Sequence, residues 1–406
     1  MTELPAEFTA YTRLLMGEER FGRYLQSFEE ETPVSIRLNP KKPAGLPVGG
    51  ERVAWCRHAY YLKERPNFTF DPLFHAGCYY VQEAASMFLD TVLQQLMADG
   101  QPLTALDLCA APGGKSTLLR AALPEGSVLY ANEPVRNRAS ILAENMQKWG
   151  YPDCVVTNKY PRDYRKSKMK FDVILCDVPC SGEGMFRKDA ATIREWSMQN
   201  VEKCWRLQRE IVSDAWECLN EGGLMVYSTC TFNTKENEEN IRWMMKELGA
   251  QVVGVEVKPE WNIVGSLLEG FHEPVYRFIP GITKGEGLFL CALRKGGHAP
   301  LKPARRQPEK PHTEAQQQAD VQCELTYQQA LAYLRHEALT LPTDVPRGLV
   351  EVTFQGIPLG LAKNIGNRAN NLYPKEWRIK TTHIPNDYEA ILRHTEQNTD
   401  GGHAEG

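Results

Sequence analysis

Cys180 closes the segment Cys176-Asp177-Val178-Pro179-Cys180, which follows the apolar run Phe171-Asp172-Val173-Ile174-Leu175. Cys230 closes Tyr227-Ser228-Thr229-Cys230, which follows Gly222-Gly223-Leu224-Met225-Val226. Both runs read as strands. In an open α/β sheet, ligands bind outside the carboxyl ends of the strands, so both thiols should face one crevice. A third strand, Ala105-Leu106-Asp107-Leu108, feeds the glycine-bearing loop Cys109-Ala110-Ala111-Pro112-Gly113-Gly114-Lys115. Two thiols, the Asp177 carboxylate and a nucleotide-type loop in one crevice point to covalent chemistry on a cofactor-activated substrate. The chain has 11 cysteines, with no Cys-x-x-Cys pair and no cysteine/histidine cluster. That pattern argues against a disulfide framework and against a zinc site. Cys56, Cys78, Cys154, Cys204, Cys218, Cys291 and Cys323 read as small buried hydrophobes.

The loop Cys109–Lys115 has neither the spacing of a dinucleotide fingerprint nor that of a phosphate loop. Its glycines let backbone approach a ligand closely, while Pro112 removes an amide that would cradle phosphate. A phosphate-free nucleoside cofactor fits it better. The next strand ends Tyr130-Ala131-Asn132-Glu133, and an acid there is placed to bind ribose hydroxyls. Asp177 can accept a hydrogen bond from an exocyclic amine or, if its acidity is lowered by burial, donate one to a ring nitrogen. Lys115, by its loop position, should contact cofactor or substrate.

The elements that must position these groups alternate between residues 105 and 295. Strand-like Ser127–Glu133, Cys154–Asn158, Phe171–Asp177 and Leu224–Cys230 interleave with helix-like Arg138–Gly150, Asn200–Leu219 and Glu236–Leu248. That is the pattern of βαβ units and a parallel sheet. Val252–Val257 and Leu288–Leu293 should close the sheet as an antiparallel pair. The first stretch combines a helical pattern, Phe8 to Phe28, with a strand, Val34–Leu38, and a helix runs through Met97. The stretch 296–320 holds four prolines and no apolar period, which predicts a linker. Beyond it, a helix over Leu325–Glu337 and strands over Val350–Phe354 and Pro358–Ala362 predict a small β-rich domain. The expected bounds are 1–70, 71–295, 296–320, 321–395 and a disordered tail, 396–406. At 406 residues the chain exceeds one ordinary core. A net charge of −4 confines any nucleic-acid surface to local patches. No signal peptide and no membrane span are visible, and reduced thiols fit the cytoplasm.

Asp107–Lys115, Asp177-Val178-Pro179-Cys180-Ser181-Gly182 and Tyr227–Cys230 resemble three signatures of the Sun/nucleolar-protein family of RNA cytosine-C5 methyltransferases. Gln82-Glu83-Ala84-Ala85-Ser86 resembles the segment before that family's cofactor loop, so the likeness spans roughly 70–295. The N-terminal segment, Gly285-Glu286-Gly287-Leu288-Phe289, Gly356–Gly360, Lys363 and Tyr373-Pro374 resemble the bacterial RsmF-type rRNA enzymes. The resemblance implies a Rossmann-like S-adenosylmethionine-dependent methyltransferase sheet, a small α+β N-terminal segment and a PUA-like β-rich C-terminal domain that binds RNA. It implies methylation of carbon 5 of cytosine, most consistently in small-subunit rRNA, with tRNA as the next substrate and a non-catalytic assembly factor as a different class of answer.

It also assigns roles. Strand-end position does not separate the two thiols; the resemblance makes Cys230 the nucleophile at carbon 6 and Cys180 the group that resolves the adduct. Asp177 and Lys115 would hold the cytosine edge, Cys109, Ala110, Ala111, Pro112, Gly113, Gly114 and Lys115 the methionine part of S-adenosylmethionine, and Glu133 its ribose. Asp177 is also expected at the cofactor. The family places an Asp after the third strand to hold adenine; here that position is Tyr160, and Asn158 can substitute through its side-chain carbonyl. Arg162, Arg165, Lys166, Lys168, Lys170, Arg187 and Lys188 are expected near the crevice. Lys363, Arg368, Lys375, Arg378 and Lys380, interleaved with Tyr373 and Trp377, suit RNA backbone contact and base stacking. The expected partner is small-subunit rRNA or the small ribosomal subunit, bound by a monomer without metal or membrane.

Overall fold

The strands β1 (Thr104–Asp107), β2 (Val128–Asn132), β3 (Cys154–Thr157), β4 (Phe171–Asp177) and β5 (Leu219–Thr229) form one parallel sheet. β4 is buried on both faces until Asp177, as a strand covered by helices on each side must be. After β6 (Gln251–Val253) and β7 (Tyr276–Phe278), the last strand, β8 (Leu288–Arg294), runs antiparallel to β5, β6 and β7. The order is β6-β8-β5-β4-β1-β2-β3, with β7 beside β8. The antiparallel closure expected of the last two apolar runs is therefore present, over Gln251–Val253 and Leu288–Arg294. The structure, a computed structural model, describes residues 3–97, 100–296, 319–381 and 383–393.

The strand order reverses between β1 and β4, and a crevice opens at such a switch point. Parallel register brings the strand ends level: Asp177 lies beside Ser228, and Asp107 beside Leu175. The connecting helices are α1 (Gly114–Ala122), α2 (Arg136–Trp149), α3 (Pro161–Ser167), α4 (Met198–Cys218) and α5 (Glu238–Leu248). α4 returns along the sheet and buries Ile211, Val212, Ala215 and Trp216 against Phe171, Ile174 and Met225. The N-terminal helical pattern is two helices, Ala6–Met16 and Glu18–Gln26, because Gly17 takes φ +78° between them.

The chain divides into two compact units, one of residues 1–36, 53–59 and 81–314, the other of 37–52, 60–80 and 315–406. In the second unit, Gln322–Glu324, Gly348–Phe354, Ile357–Asn364 and Ala369–Asn371 form a four-stranded sheet beside the helix Tyr327–Leu334. Buried Asp71 joins its early and late segments, accepting from Tyr79 Oη at 2.7 Å and from Tyr388 Oη at 3.2 Å. The stretch expected to be a linker, apart from its ends, and the tail expected to be disordered lie outside the described residues.

Just behind the crevice, Glu238 opens α5 and grips Arg277 of β7 with two bonds, 2.9 and 2.8 Å, both side chains wholly buried. Removing one partner strands a charge in the core. Glu238→Ala should lower unfolding free energy by about 3–5 kcal/mol, measured by urea denaturation. A Glu238→Gln/Arg277→Met double variant should lose less than the sum of its singles.

Candidate active site

The Sγ atoms of Cys180 and Cys230 lie 3.2 Å apart, and the Cys230 backbone N–H donates to Cys180 Sγ at 3.3 Å. Each thiol emerges from the carboxyl end of a neighbouring strand, so the structure brings together the two residues that the sequence singled out. The hydrogen bond with Cys230, followed by burial, pushes the pKa of the Cys180 thiol well above its ordinary value. Two thiolates at this spacing would repel, so Cys180 stays protonated beside an unmodified Cys230.

Asp177 takes Lys115 Nζ on one oxygen at 2.9 Å and Ser228 Oγ on the other at 2.6 Å. Burial pulls the Lys115 ammonium down, but the Asp177 carboxylate more than offsets it, and the net displacement is upward. Lys115 is therefore a fixed cation. Gly113, at φ +119°, turns the loop into α1. Ser116 Oγ donates to the buried Asp107 at 2.5 Å. Both side chains that would serve phosphate and its metal in a phosphate loop are thus taken by carboxylates, and the loop fits a ligand without phosphate.

Glu133 directly follows β2, is almost fully buried, accepts from the Val135 N–H at 2.9 Å and faces Arg138 at 3.4 Å. Arg138 in turn reaches the Ala111 carbonyl at 3.0 Å, joining Glu133 to the glycine loop. Asn158 donates its amide hydrogens to the carbonyls of Glu133 and Pro134, at 2.6 and 2.8 Å. Both amide hydrogens are thus held by backbone carbonyls. Tyr160 is 56 % exposed and begins α3, its N–H held by Asp163 at 3.0 Å.

The sequence pattern did not reveal a set of buried acids and amides beneath the thiols. Glu183 accepts from the N–H groups of Phe232 (2.7 Å) and Asn233 (2.9 Å), from Asn233 Nδ2 (3.0 Å) and from Trp196 Nε1 (3.0 Å). Glu236 accepts from Ser181 N–H at 3.0 Å, Gln208 Nε2 at 2.7 Å and Asn233 Nδ2 at 2.8 Å. Burial, and then Glu183, push Glu236 up to about 7 against those donors. The available signal was Thr229–Asn240, a polar run with no solvent-facing helical period directly after a buried strand.

Several basic residues are not where they were expected. Lys168 and Lys170 precede β4, whose far end carries Asp177, so they lie at the opposite edge of the sheet; Lys170 caps the Glu217 carbonyl at the end of α4. Arg165 pairs with Asp214 at 2.9 Å. Arg187 is buried in an ion pair with Glu286 (2.9 Å) and also reaches the Glu30 carbonyl. The side chains of Lys170, Arg165 and Arg187 are thus engaged in structure. Arg162 sits near the crevice edge against the Tyr160 ring. Lys166 lies in the last turn of α3, and Lys188 lies close enough to Glu286 to favour its ionised form. In the second unit Lys363, Arg368, Lys375, Arg378 and Lys380 are exposed, but Tyr373 is a core residue packed on Tyr333 and Trp377. It is no stacking platform. Among the described residues, no group of three or more His, Cys, Asp or Glu could hold a metal ion, and no helix is long and apolar enough to cross a membrane.

A parallel sheet with a glycine loop at its switch point and an antiparallel last strand defines a Rossmann-like methyltransferase fold. Three family models match the chain in order: the N-terminal domain of 16S rRNA methyltransferase RsmF over 4–84, 16S rRNA methyltransferase RsmB/F over 95–294 and the RsmF PUA domain over 321–379. The chain belongs to this RsmB/F family. It is 31% identical to ribosomal RNA small subunit methyltransferase F of Pectobacterium atrosepticum, over 74% of this chain but 64% of that protein. The Klebsiella pneumoniae protein of the same name is 27% identical, over 92% and 96%. A solved methyltransferase homolog from Pyrococcus horikoshii matches with 25% identity and a TM-score of 0.60, over 72% of this chain and 95% of that one. NSun6 from the same organism, solved with SFG, shares the fold at 20% identity and a TM-score of 0.60, over 72% and 98%.

Burial raises Asp107 to about 7. The native state then keeps a proton that the unfolded chain releases near the ordinary carboxylate value. The stabilisation is full below that lower value and is lost as pH rises through about 7. The displacement corresponds to at most about 4 kcal/mol. Asp107→Asn should flatten the stability profile between pH 4 and 8 by up to that amount, measured by denaturant titration. Parallel profiles would show that Asp107 is ionised throughout.

Proposed function

We propose that this protein transfers a methyl group from S-adenosylmethionine to carbon 5 of a cytosine in RNA, through a covalent adduct of Cys230 at carbon 6. The observation that carries this reading is the pair of thiols 3.2 Å apart at adjacent strand ends, beside the Lys115–Asp177 pair. The substrate named for the relatives, small-subunit ribosomal RNA, is the one we assign. The phosphate-free character of the loop 109–115 and the acid at Glu133 support the cofactor. When bound, that cofactor supplies an electrophilic methyl group.

Carbon 5 of cytosine is a weak nucleophile. Addition of the Cys230 thiolate at carbon 6 converts the ring to an enamine that attacks through carbon 5. The cytosine must be extruded from its stack to reach the thiols. Lys115 and Asp177 hold the nitrogen-3 edge and balance its charge. Once Cys230 sulfur is bonded to carbon, it no longer carries the negative charge or makes the hydrogen bond that suppresses Cys180. The acidity of Cys180 then rises, the thiol releases its proton to solvent, and the resulting thiolate takes the carbon-5 proton. The electron pair of that C–H bond forms the 5,6 double bond as Cys230 leaves.

Cys230→Ala should abolish both methylation and adduct. Cys180→Ala should leave attack intact and stall release, so a denaturation-resistant protein–RNA adduct accumulates with natural RNA and cofactor. The reverse pattern on a denaturing gel would exchange the roles.

RNA affinity is assigned to the second unit, through Lys363, Arg368, Lys375 and Arg378. Replacing all four with Ala should weaken RNA binding and reduce the slope of log affinity against log salt by roughly 0.7–0.9 for each phosphate no longer neutralised. Binding of S-adenosylmethionine, measured by calorimetry, should not change.

A further inference from the structure

We propose that Glu183 is a positioning residue that sets the register of Cys180 against Cys230, and so governs release of the methylated product more than attack on the base. This rests on the reading above, in which Cys230 attacks and Cys180 resolves.

The two cysteines are held in different ways. Cys230 directly follows β5, whose Ser228 and Thr229 are paired with Leu290 and Phe289 of β8. Its backbone is therefore carried by the sheet. Cys180 stands beyond β4 in a loop, and past the bond from Val178 N–H to the Ser228 carbonyl it has no ladder to hold it. Its position depends on bonds between loops.

Glu183 supplies three of these, and Ser181 adds others through Glu236 and Thr231. Glu183 lies three residues beyond Cys180 and is 1 % exposed. One carboxylate oxygen accepts from two successive backbone N–H groups, Phe232 at 2.7 Å and Asn233 at 2.9 Å, in the segment leaving Cys230. The other accepts from Trp196 Nε1 and Asn233 Nδ2, both at 3.0 Å. Alongside, the Gly184 N–H donates to the Cys230 carbonyl at 2.8 Å. Only glycine permits that approach. A Cβ on Gly184 would lie 2.6 Å from Gly287 Cα and 2.8 Å from the Cys230 carbonyl oxygen. Charge-assisted bonds to backbone N–H groups are short and strong, and here they join the loop of one thiol to the loop of the other.

Every partner of Glu183 is a donor. Glu183→Gln therefore turns an NH2 group toward one donor pair whichever way the amide is flipped. Volume is conserved, but the brace between the loops opens. Cys230 keeps its strand, while Cys180 is left to the bonds of Ser181 and Gly184 and its register loosens.

Phenylarsine oxide reports that register without RNA or cofactor. It condenses with two adjacent thiols: two As–S bonds form, and its oxygen leaves as water with the two thiol protons. The wild-type protein should bind it, and Cys180→Ala and Cys230→Ala should each lose that binding, which locates it. Glu183→Gln, verified as folded by circular dichroism, should bind it at least tenfold more weakly. With RNA and S-adenosylmethionine the same variant should form adduct at the wild-type rate and accumulate it. A merely structural glutamate would leave both readouts of the folded protein unchanged, and that result overturns the proposal. If Glu183→Gln does not fold, Glu183→Asp decides: at least threefold weaker arsenical binding is expected, and unchanged binding overturns it. Failure of the wild-type protein to form adduct with any RNA would sink the functional reading and leave the arsenical result standing.

Discussion

Asp177 receives Lys115 Nζ on one carboxylate oxygen and the Ser228 hydroxyl on the other, and with those two bonds it ties the loop after β1 and the ends of β4 and β5 into one wall. Each partner is delivered by a different strand, so the bridge exists only if the strands are in register. Parallel pairing provides this: Ser228 stands beside Asp177, and Val226 beside Leu175. A one-residue slip of β5 would turn its side chains to the opposite face and take the hydroxyl, and with it the neighbouring Cys230, out of the crevice. The same bond takes up Lys115, the side chain that would face phosphate in a phosphate loop.

Behind that wall the fold tolerates an unusual amount of buried polarity. Gln208 of α4 bonds the Pro179 carbonyl and Glu236, while its own oxygen receives Asn240 Nδ2 at 2.8 Å. Tyr227 Oη donates to the Glu236 carbonyl at 2.6 Å. Thr229 Oγ1 donates to Asn237 Oδ1, also at 2.6 Å. An apolar filling would pack at lower cost, because each polar group left unmatched in the interior costs roughly 1–3 kcal/mol. What the polar filling supplies is direction. Hydrogen bonds fix the path of two loops that cannot belong to the sheet without withdrawing the thiols from the crevice. Polarised networks of this kind strengthen their members together.

The sheet was legible because its signals are local. Phe171–Asp177 is an apolar run broken only by Asp172 and ending in an acid, and the structure gives that strand the same limits. Cys180 and Cys230 were legible for the same reason, since each follows such a run at once. Glu183 and Glu236 were not. An acid soon after a strand is ordinarily solvated, and spatial neighbours such as Phe232, Asn233, Ser181, Trp196 and Gln208 keep these two inside. The basic stretch before β4 misled because closeness in sequence to Asp177 is not closeness in space: a strand of seven residues separates them, and roughly 3.3 Å per residue carries Lys170 to the other edge. Nor could a local pattern foretell that Asp71 would bond Tyr388, 317 residues further on.

The spacing of the two thiols also bears on the order of events in the proposed reaction. A residue that removes the carbon-5 proton must be basic late, yet a second free thiolate early would compete with the nucleophile for the ring and repel it. Holding Cys180 against Cys230 answers both demands. While Cys230 is uncommitted, its sulfur and the surrounding burial keep Cys180 protonated. Formation of the thioether removes the hydrogen bond, the largest of the influences that hold the Cys180 proton, while burial and the Glu236 charge remain. The nucleophile thus switches on the base by being consumed, with no conformational change, provided that the loops keep the sulfurs within touching distance. In that reading close approach of the sulfurs is a requirement, and the buried Glu183 and Glu236 lie beside the loops that carry them.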